Sequence, residues 1–264
     1  MTGAAGVIDL SVWQLAVALL LVGVVVAVSL RQALGLERDL VIGSVRTIVQ
    51  LYLVGLILAA VFAAARWYWV VLILAVMTAV ATHAAVSRLR KPIPGGYQIA
   101  AAALTVSTAA TLAYVIGAVV RVHPWYEPQY IIPIAGMILG NSMTSAALAG
   151  DRLQGDLQAR ADEVEARLAL GFSGREAVQP MVRASLRAAM IPTVSGMMTV
   201  GLVQLPGMMT GQILAGSSPL VAIRYQMVVV FMLAAATAMG SLLFVRLAAR
   251  RYLTDAHQLR RYLL

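Results

Sequence analysis

Long apolar runs alternate with short polar segments along the 264-residue chain. A helix of about 17 to 25 apolar residues is long enough to cross the hydrocarbon core of a bilayer. The sequence predicts seven such spans, at residues 11–30, 40–62, 68–86, 97–120, 131–149, 188–205 and 219–245. Polar and apolar residues do not alternate within these runs as they do in the strands of a membrane barrel. The pattern therefore predicts an all-α, polytopic integral membrane protein with about seven transmembrane helices.

The composition agrees with a surface that faces lipid. Hydrophobic residues make up 61% of the chain, charged residues make up 12%, and the mean hydropathy is +0.86. Soluble globular domains are closer to half apolar and a quarter charged, so the chain has too few polar groups to cover a water-exposed surface. We expect a multi-pass protein of a cell membrane, and a bacterial inner membrane is the favoured location.

Basic residues are distributed unevenly between the predicted loops. One set of loops, together with the C-terminal tail, holds sixteen Lys and Arg residues, whereas the opposite loops hold Arg66 and Arg121. Positive charge collects on the cytoplasmic side of membrane proteins, which predicts an outside N-terminus and a cytoplasmic C-terminus. Ten residues without Lys or Arg precede the first span, so we interpret it as a retained span rather than a signal peptide. The basic residues flank apolar runs and are not interleaved with aromatics, so we expect no nucleic-acid partner.

We interpret residues 1–264 as one transmembrane domain that contains a large polar insert, residues 151–187. Apolar side chains recur in the insert at helical spacing, as one face of a helix does. They are Leu153, Leu157, Ala161, Val164 and Leu168. Two acid-before-base pairs at i,i+4 spacing support the same helix. They are Asp156 with Arg160 and Glu163 with Arg167.

Four residues predict how the insert turns back toward the membrane. Gly171 can end the first helix in a left-handed conformation. Ser173 and Glu176 match a capping box, so a second helix should begin there. Pro180 should bend or break that helix. Two interpretations of the resulting hairpin stay open, namely a solvated connector and a docking element for a cytoplasmic partner.

The predicted spans lack the acidic and lysine groups that ion-coupled carriers place in the membrane. They contain no Asp, Glu or Lys, and their ionisable residues are Arg46, His83 and Arg224. Proton or sodium coupling is therefore disfavoured. The chain also has no GxxxxGK(S/T) phosphate-binding loop, so any ATP that drives transport must bind to another chain. The three histidines are widely scattered and cysteine is absent, so we assign no metal site.

Several polar residues lie within the predicted spans. Arg46 and Gln50 are one helical turn apart and should face the protein interior. Gly136 and Gly140 form a small-xxx-small pattern that brings membrane helices close together. Asn141 follows them directly, with hydroxyl groups nearby at Ser142, Thr144 and Ser145. These polar side chains either bridge helices by hydrogen bonds or line a polar pathway.

Methionines and one irregular apolar segment add candidates for that pathway. Thioethers are soft ligands that suit Cu(I), but methionine also fills gaps in apolar packing, and both interpretations stay open. Residues 205–216 carry no charge, and they include one proline and three glycines. Such a segment is either a re-entrant turn or an apolar outer loop. The candidate pathway residues are Arg46, Gln50, Asn141, Met143, Pro206, Met208 and Met209.

Three sequence blocks resemble one family of transporters. The blocks are residues 42–51 (IGSVRTIVQL), residues 132–144 (IPIAGMILGNSMT), and residues 205–215 (LPGMMTGQILA) with Pro219 and Arg224-Tyr225-Gln226. They resemble the Fet-type iron-export permeases of ABC transporters, a family that includes plant aluminium-sensitivity permeases. The resemblance extends from about residue 40 to residue 244.

The resemblance implies a permease subunit without an ATPase site of its own. It implies a cytoplasmic ABC ATPase partner that binds ATP and magnesium, a second copy of the permease, and export of metal ions such as iron, or metal resistance. The insert then becomes the coupling element. Its candidate coupling residues are Arg167, Gly171, Ser173, Arg175, Glu176 and Arg183. Two alternatives remain, namely export of another substrate such as a nucleotide sugar, and a membrane regulator or scaffold that recruits a cytoplasmic protein without transport.

Overall fold

The computed structural model describes residues 11–64, 66–254 and 256–263, and most of these residues are helical. The α-helices in these ranges are α1 (Val12–Arg31), α2 (Glu37–Ala64), α3 (Trp67–Val86), α4 (Gly96–Tyr114), α5 (Pro128–Ala159), α6 (Ala161–Ala169), α7 (Gly174–Thr199), α8 (Gly207–Leu214) and α9 (Pro219–Arg251). A π-helical turn, Val115–Val120, extends α4. The predicted all-α fold is confirmed.

Six helices in the described ranges are long and apolar enough to cross a membrane, namely α1, α2, α3, α4 with its π-helical extension, α5 and α9. The predicted span at residues 188–205 is wrong as a single helix. Its first part is the second half of α7, which ends at Thr199. Gly201 then adopts a φ of 82°, and its N–H donates to the Gln204 carbonyl at 3.0 Å. Only residues 188–199 of the predicted span are therefore helical, and the left-handed glycine turns the chain just after them.

The described chain divides into two compact units, and one of them comprises residues 11–64 and 211–217. In this unit α1 begins at a capping box formed by Ser11 and Gln14. Ser29 joins α1 to the start of α2, because its hydroxyl donates to Glu37 at 2.9 Å and accepts from the Leu36 N–H at 3.2 Å. Ser29 is buried, whereas most side chains of α1 and α2 are exposed.

The second unit comprises residues 66–210 and 218–263. Within it α5 and α9 pack against each other, both contact α4 and α7, and α3 packs on α4 and α5. Its largest fully buried side chains include residues from α5, α6, α7, α9 and the end of the chain. They are Leu153, Leu157, Val164, Met181, Phe244 and Tyr252. This cluster holds the polar insert against the helical bundle.

Close helix approach occurs at a different glycine from the predicted pair. A Cβ on Gly150 would lie 2.7 Å from Leu89 and 2.7 Å from the Phe244 ring. A Cβ on Gly140 would meet nothing within 4 Å, and one on Gly136 would meet only the tip of Met77 at 3.2 Å. The prediction that Gly136 and Gly140 together bring helices close is therefore wrong at Gly140, since that face has no near neighbour.

The insert is continuous with the bundle rather than a separate hairpin. α5 runs past residue 151 to Ala159 without a break. Pro180 lies inside α7 and does not end it, so it does not break the helix, and a bend at Pro180 stays a prediction. Proline costs one backbone hydrogen bond, but the neighbouring side chains Val178 and Met181 are buried in the core and hold the helix in place.

The predicted turn between α6 and α7 is confirmed in detail. Gly171 has a φ of 89°, and the N–H groups of Gly171 and Phe172 bond to the carbonyls of Leu168 and Arg167 at 3.0 and 3.1 Å. This is the Schellman arrangement that closes a helix C-terminus. Ser173 and Glu176 then form both bonds of a capping box at the start of α7.

Two details of the insert differ from the sequence prediction. Glu163 bonds to Arg167 as predicted, at 2.7 Å, but Asp156 pairs with Arg152 at 3.0 Å rather than with Arg160. The predicted apolar stripe is buried in the protein's own core, where Leu153, Leu157 and Val164 are fully enclosed. The stripe is therefore not available for docking, because α7 and α9 already cover it.

The C-terminal tail is fixed to the insert. The Arg261 guanidinium donates to Glu165 at 2.5 and 2.9 Å and also to Asp162. His257 Nδ1 accepts from the backbone N–H of Gly174 at 3.1 Å. These contacts, with the buried Tyr252 ring, hold α6 and the start of α7 against the end of α9.

Candidate functional site

A largely apolar cleft that contains several polar side chains lies between α5, α7, the 200–206 turn and α9. One part of it has a volume of about 350 Å³, and a neighbouring part has about 360 Å³. The two parts share the lining residues Met197, Val200, Pro206, Gln226 and Val230. They are therefore neighbouring compartments of one cleft, which we call the α5–α9 cleft.

Gln226 is the central polar residue of the α5–α9 cleft. It lies two turns into α9, which begins where the Ser218 side chain accepts from the Val221 N–H and Pro219 occupies the first turn. Only 7% of Gln226 is exposed, yet its Oε1 has no hydrogen-bond partner within the described part of the chain. Buried side-chain oxygens are normally paired. An unpaired acceptor at the boundary of two cavity compartments points to a ligand site.

Three polar residues of α5 line the opposite wall of the cleft, namely Asn141, Thr144 and Ser145. Asn141 Nδ2 donates to the Met137 carbonyl at 2.9 Å, and the Thr144 hydroxyl donates to the Gly140 carbonyl at 3.0 Å. Both donors are thus satisfied within α5 itself, so these bonds do not bridge helices. The remaining acceptor capacity of both oxygens is free for a ligand, since an amide oxygen and a hydroxyl each carry two lone pairs.

The lining of the cleft is neutral. It contains no Asp, Glu, Lys or Arg among the described residues, and no cluster of three His, Asp or Glu side chains occurs in the described ranges. Met197, Met209 and Met227 line the same compartment as Gln226, and Met197 also lines the compartment that contains Asn141 and Thr144. Neutral oxygen and sulfur acceptors can bind a partly dehydrated cation without holding it tightly, and a transport pathway requires such weak binding.

The predicted pathway residues occupy several different places. Asn141, Pro206 and Met209 line the α5–α9 cleft. Met208 is half-buried and lines neither compartment. Met143 packs beside a separate cluster formed by α3, α4 and α5.

Arg46 and Gln50 lie on α2, in the other unit, and both side chains are exposed. Within the described residues neither side chain makes a hydrogen bond or an ion pair. Their predicted position in the protein interior stays a prediction.

Sequence reasoning missed Gln226, Gln204 and Met197 as cleft residues. The sequence could have indicated Gln226, because it is the single amide side chain within the apolar run 219–245. A lone amide at membrane depth usually has a specific partner or function. Met197 is one of the methionines considered above as soft ligands or gap fillers. Gln204 gave no comparable signal, because its place depends on the turn at Gly201.

The predicted coupling residues lie around the α6–α7 turn. Ser173 donates to Glu176 from its hydroxyl at 2.6 Å and from its N–H at 2.9 Å, and these bonds lower the pKa of Glu176. The pKa of Glu163 is also lowered, first by the hydrogen bond from Arg160 and further by the charges of Arg160 and Arg167. These charged groups lie on α6 and on the first turn of α7, so charge flanks the turn at Gly171 on both sides.

Exposed side chains at this turn give it a surface that a partner can contact. Leu170 is 78% exposed and Phe172 is 49% exposed, directly beside Gly171. Arg175 and Arg183 are exposed on α7, and no ion pair of theirs occurs in the described ranges. We call Leu170, Gly171 and Phe172 the α6–α7 tip.

Comparisons with known proteins agree with this architecture. Residues 12–253 match the model of a family described as "Uncharacterised protein family (UPF0014)". A UPF0014 membrane protein of Synechocystis is 39% identical over 90% of this chain and 92% of its own length. Protein ALUMINUM SENSITIVE 3 of Arabidopsis thaliana is 34% identical over 92% and 88% of the two chains. "Probable iron export permease protein FetB" of Escherichia coli is 36% identical over 93% of both chains.

No solved structure matches this chain. The family match covers the six apolar helices, the α5–α9 cleft and the α6–α7 tip. The chain therefore belongs to the UPF0014 family and is a multi-pass membrane protein.

Proposed function

We propose that the chain is the membrane-spanning subunit of an ABC exporter whose cargo is a metal cation such as iron. A separate cytoplasmic ATPase, which binds ATP and magnesium, supplies the energy. The α5–α9 cleft carries this proposal, because it offers unpaired acceptor groups and no positive charge among its described lining residues. The name of the Escherichia coli relative, a probable iron export permease, supports the same cargo class.

The neutral lining favours a cation over a nucleotide sugar. A nucleotide sugar carries a diphosphate, and proteins bind such groups with Arg, Lys or clustered backbone N–H groups. The cleft instead presents the Gln226 oxygen, the Asn141 oxygen and the thioether of Met197. Oxygen and thioether ligands match borderline and soft metal ions. The cargo is therefore a metal ion that sheds part of its water on entry.

The α6–α7 tip is the contact for the ATPase in this proposal. Its apolar side chains Leu170 and Phe172 are exposed on an otherwise charged surface. The Schellman turn and the capping box hold both side chains in a fixed position. A fixed tip transmits movement of the ATPase to α7, which lines the cleft through Met197.

Transport by reconstituted protein tests the proposed cargo. The permease and its ATPase are placed in proteoliposomes, and ATP-dependent movement of Fe²⁺ is measured. Gln226→Leu and Asn141→Leu each remove one cleft oxygen, so we expect transport to fall about tenfold for a loss of about 1.4 kcal/mol. Gln158→Leu, at an exposed position on the last turn of α5, should transport normally.

Three results would each contradict a different part of the proposal. Normal Fe²⁺ transport by both cleft variants would show that the cleft is not on the transport pathway. A complex that assembles and hydrolyses ATP but moves no metal would favour the regulator or scaffold interpretation. Movement of a nucleotide sugar instead of Fe²⁺ would support the permease role and exclude a metal ion as the cargo.

The tip is tested by copurification of the ATPase. Phe172→Asp places a charge where the proposal requires an apolar contact, so the ATPase should no longer copurify, while the permease still inserts into the membrane. Gln158→Asp adds the same charge to a nearby exposed position and should leave the complex intact. Unchanged copurification of the Phe172→Asp variant would exclude the tip as the docking contact.

A further inference from the structure

A second cavity, of about 400 Å³, lies between the first turns of α7 and the last turns of α9. Three arginines line it, namely Arg175 from α7 and Arg246 and Arg250 from α9. The His257 ring closes one side, where its Nδ1 accepts from the Gly174 N–H. We call this space the arginine cavity.

The three guanidinium groups lack carboxylate partners within the described ranges. Nearby arginines on α5 and α6 behave differently, since Arg152, Arg160 and Arg167 lie 2.7–3.0 Å from an Asp or Glu oxygen. No described acidic side chain lines the arginine cavity. Three like charges that converge on one space repel each other, and an anion between them relieves that repulsion. Arginine also binds phosphate oxygens in a bidentate manner.

The inner wall of the arginine cavity is apolar. Val178 and Val182 are buried and line it from α7, and Leu253 lines it after the end of α9. Leu253 is partly exposed, and a free phosphate ion would leave its apolar surface uncovered. A ligand that joins an anionic group to a hydrocarbon chain covers both the charged rim and the apolar wall.

The sequence places the cavity at the level of lipid headgroups. The apolar run of α9 ends at Val245, and Arg246 follows it directly. Arginines at the predicted cytoplasmic end of a membrane helix meet the anionic headgroups of the inner leaflet. Arg250 lies one turn further out, on the same face of α9 as Arg246.

We propose that the arginine cavity binds an anionic phospholipid. Its phosphate lies between Arg175, Arg246 and Arg250, and its acyl chains extend past Arg246 toward the apolar run of α9 that ends at Val245. The bound lipid ties the start of α7 to the end of α9, next to the α6–α7 tip. This site is separate from the α5–α9 cleft and does not depend on the identity of the cargo.

Native mass spectrometry of the purified permease tests this proposal. The probes are phosphatidylglycerol, which is anionic, and phosphatidylcholine, which is zwitterionic. We expect the unmodified protein to retain phosphatidylglycerol preferentially. Arg246→Gln should lower that affinity about fivefold and the Arg246→Gln/Arg250→Gln pair about thirtyfold, given the usual contribution of an arginine near an anionic surface.

Arg251→Gln is the matched control. Arg251 is adjacent in sequence, but its guanidinium points to the other side of α9, where a Cβ on Gly95 would lie 3.4 Å from it. The control should therefore retain phosphatidylglycerol normally. Thermal unfolding in detergent checks that each variant is folded. If the double variant is unstable, the single Arg246→Gln variant alone tests the lipid affinity.

Three outcomes would overturn the proposal. The first is equal retention of the two lipids by the unmodified protein. The second is complete displacement of phosphatidylglycerol by millimolar inorganic phosphate, which would show that the site binds free phosphate. The third is unchanged lipid retention in the arginine variants together with loss of the ATPase, which would identify the cavity as a protein-docking site.

Discussion

Gln226 is a buried amide in the apolar α9 helix, and its oxygen has no partner in the described structure. An unpaired buried polar atom costs about 1–3 kcal/mol. A residue that lowers stability in the empty protein is typical of a binding site, where a ligand completes the missing interaction. Gln154 provides the contrast, because its amide donates to the Lys91 carbonyl at 2.7 Å and to the Tyr252 hydroxyl at 2.9 Å.

Replacing these two glutamines by leucine should change stability in opposite directions. Gln226→Leu removes an unpaired amide and should raise the free energy of unfolding by about 1 kcal/mol. Gln154→Leu breaks the bonds to Lys91 and Tyr252 and should lower it by about 1–3 kcal/mol. Thermal unfolding of the detergent-purified variants measures both effects. Destabilisation by Gln226→Leu equal to that by Gln154→Leu would show that Gln226 is an ordinary structural residue.

Glu176 predicts a pH dependence at the start of α7. Its pKa is lowered by the hydrogen bonds from Ser173. A carboxyl whose pKa is lower in the folded state stabilises the fold above its unfolded pKa, about 4.3 for Glu, and loses that contribution as pH falls through the folded pKa. Hydrogen exchange of the amides of residues 174–178, corrected for intrinsic rates, should accelerate below pH 4. Glu176→Gln should remove that pH dependence, and an unchanged profile in the variant would contradict the assignment.

Local sequence signals predicted the residues whose partners lie nearby in sequence. Gly171, Ser173 and Glu176 form their turn and cap as expected, since each bond spans only a few residues. The role of Gln226 depends on α5, α7 and the 200–206 turn together. Local sequence rules do not say which distant segments pack together. The cleft could therefore be found only from the tertiary structure.

Helix crossings depend on which glycine faces a neighbouring helix. The small-xxx-small pattern marked Gly136 and Gly140, but the close approach occurs at Gly150, between Leu89 and Phe244. The pattern shows that a helix can approach closely and does not show which turn does so. The face that turns inward is fixed by the whole bundle, because Phe244 is fully buried and cannot move away.

Gly150 and Gly155 form a matched pair on α5. Gly150→Ala places a methyl group 2.7 Å from the Phe244 ring, so we expect a loss of about 1–3 kcal/mol through overpacking. Gly155→Ala meets nothing within 4 Å and should stabilise the helix by up to about 1 kcal/mol. Thermal unfolding of both variants measures the difference. Equal stability of the two variants would exclude a tight crossing at Gly150.

At the scale of the whole chain, the sequence predicted the fold class well and the number of spans less well. Long apolar runs are decisive for membrane helices, and six of the seven predicted spans correspond to such helices. The seventh fails because apolar composition continues through the turn at Gly201, where the backbone reverses. The outside N-terminus and cytoplasmic C-terminus stay predictions that rest on the Lys and Arg distribution.

The number of α6–α7 tips per chain leads to a prediction about assembly. The described part of each chain supplies one tip, whereas ABC ATPases work in pairs, so the proposed function predicts two permease chains related by twofold symmetry. Native mass spectrometry of the complex should give two permeases and two ATPases. The Phe172→Asp variant should remain a dimer without ATPase, because its change affects only the tip. A complex of one permease with two ATPases would rule out the dimer, and a monomeric Phe172→Asp variant would show that the ATPases hold the two copies together.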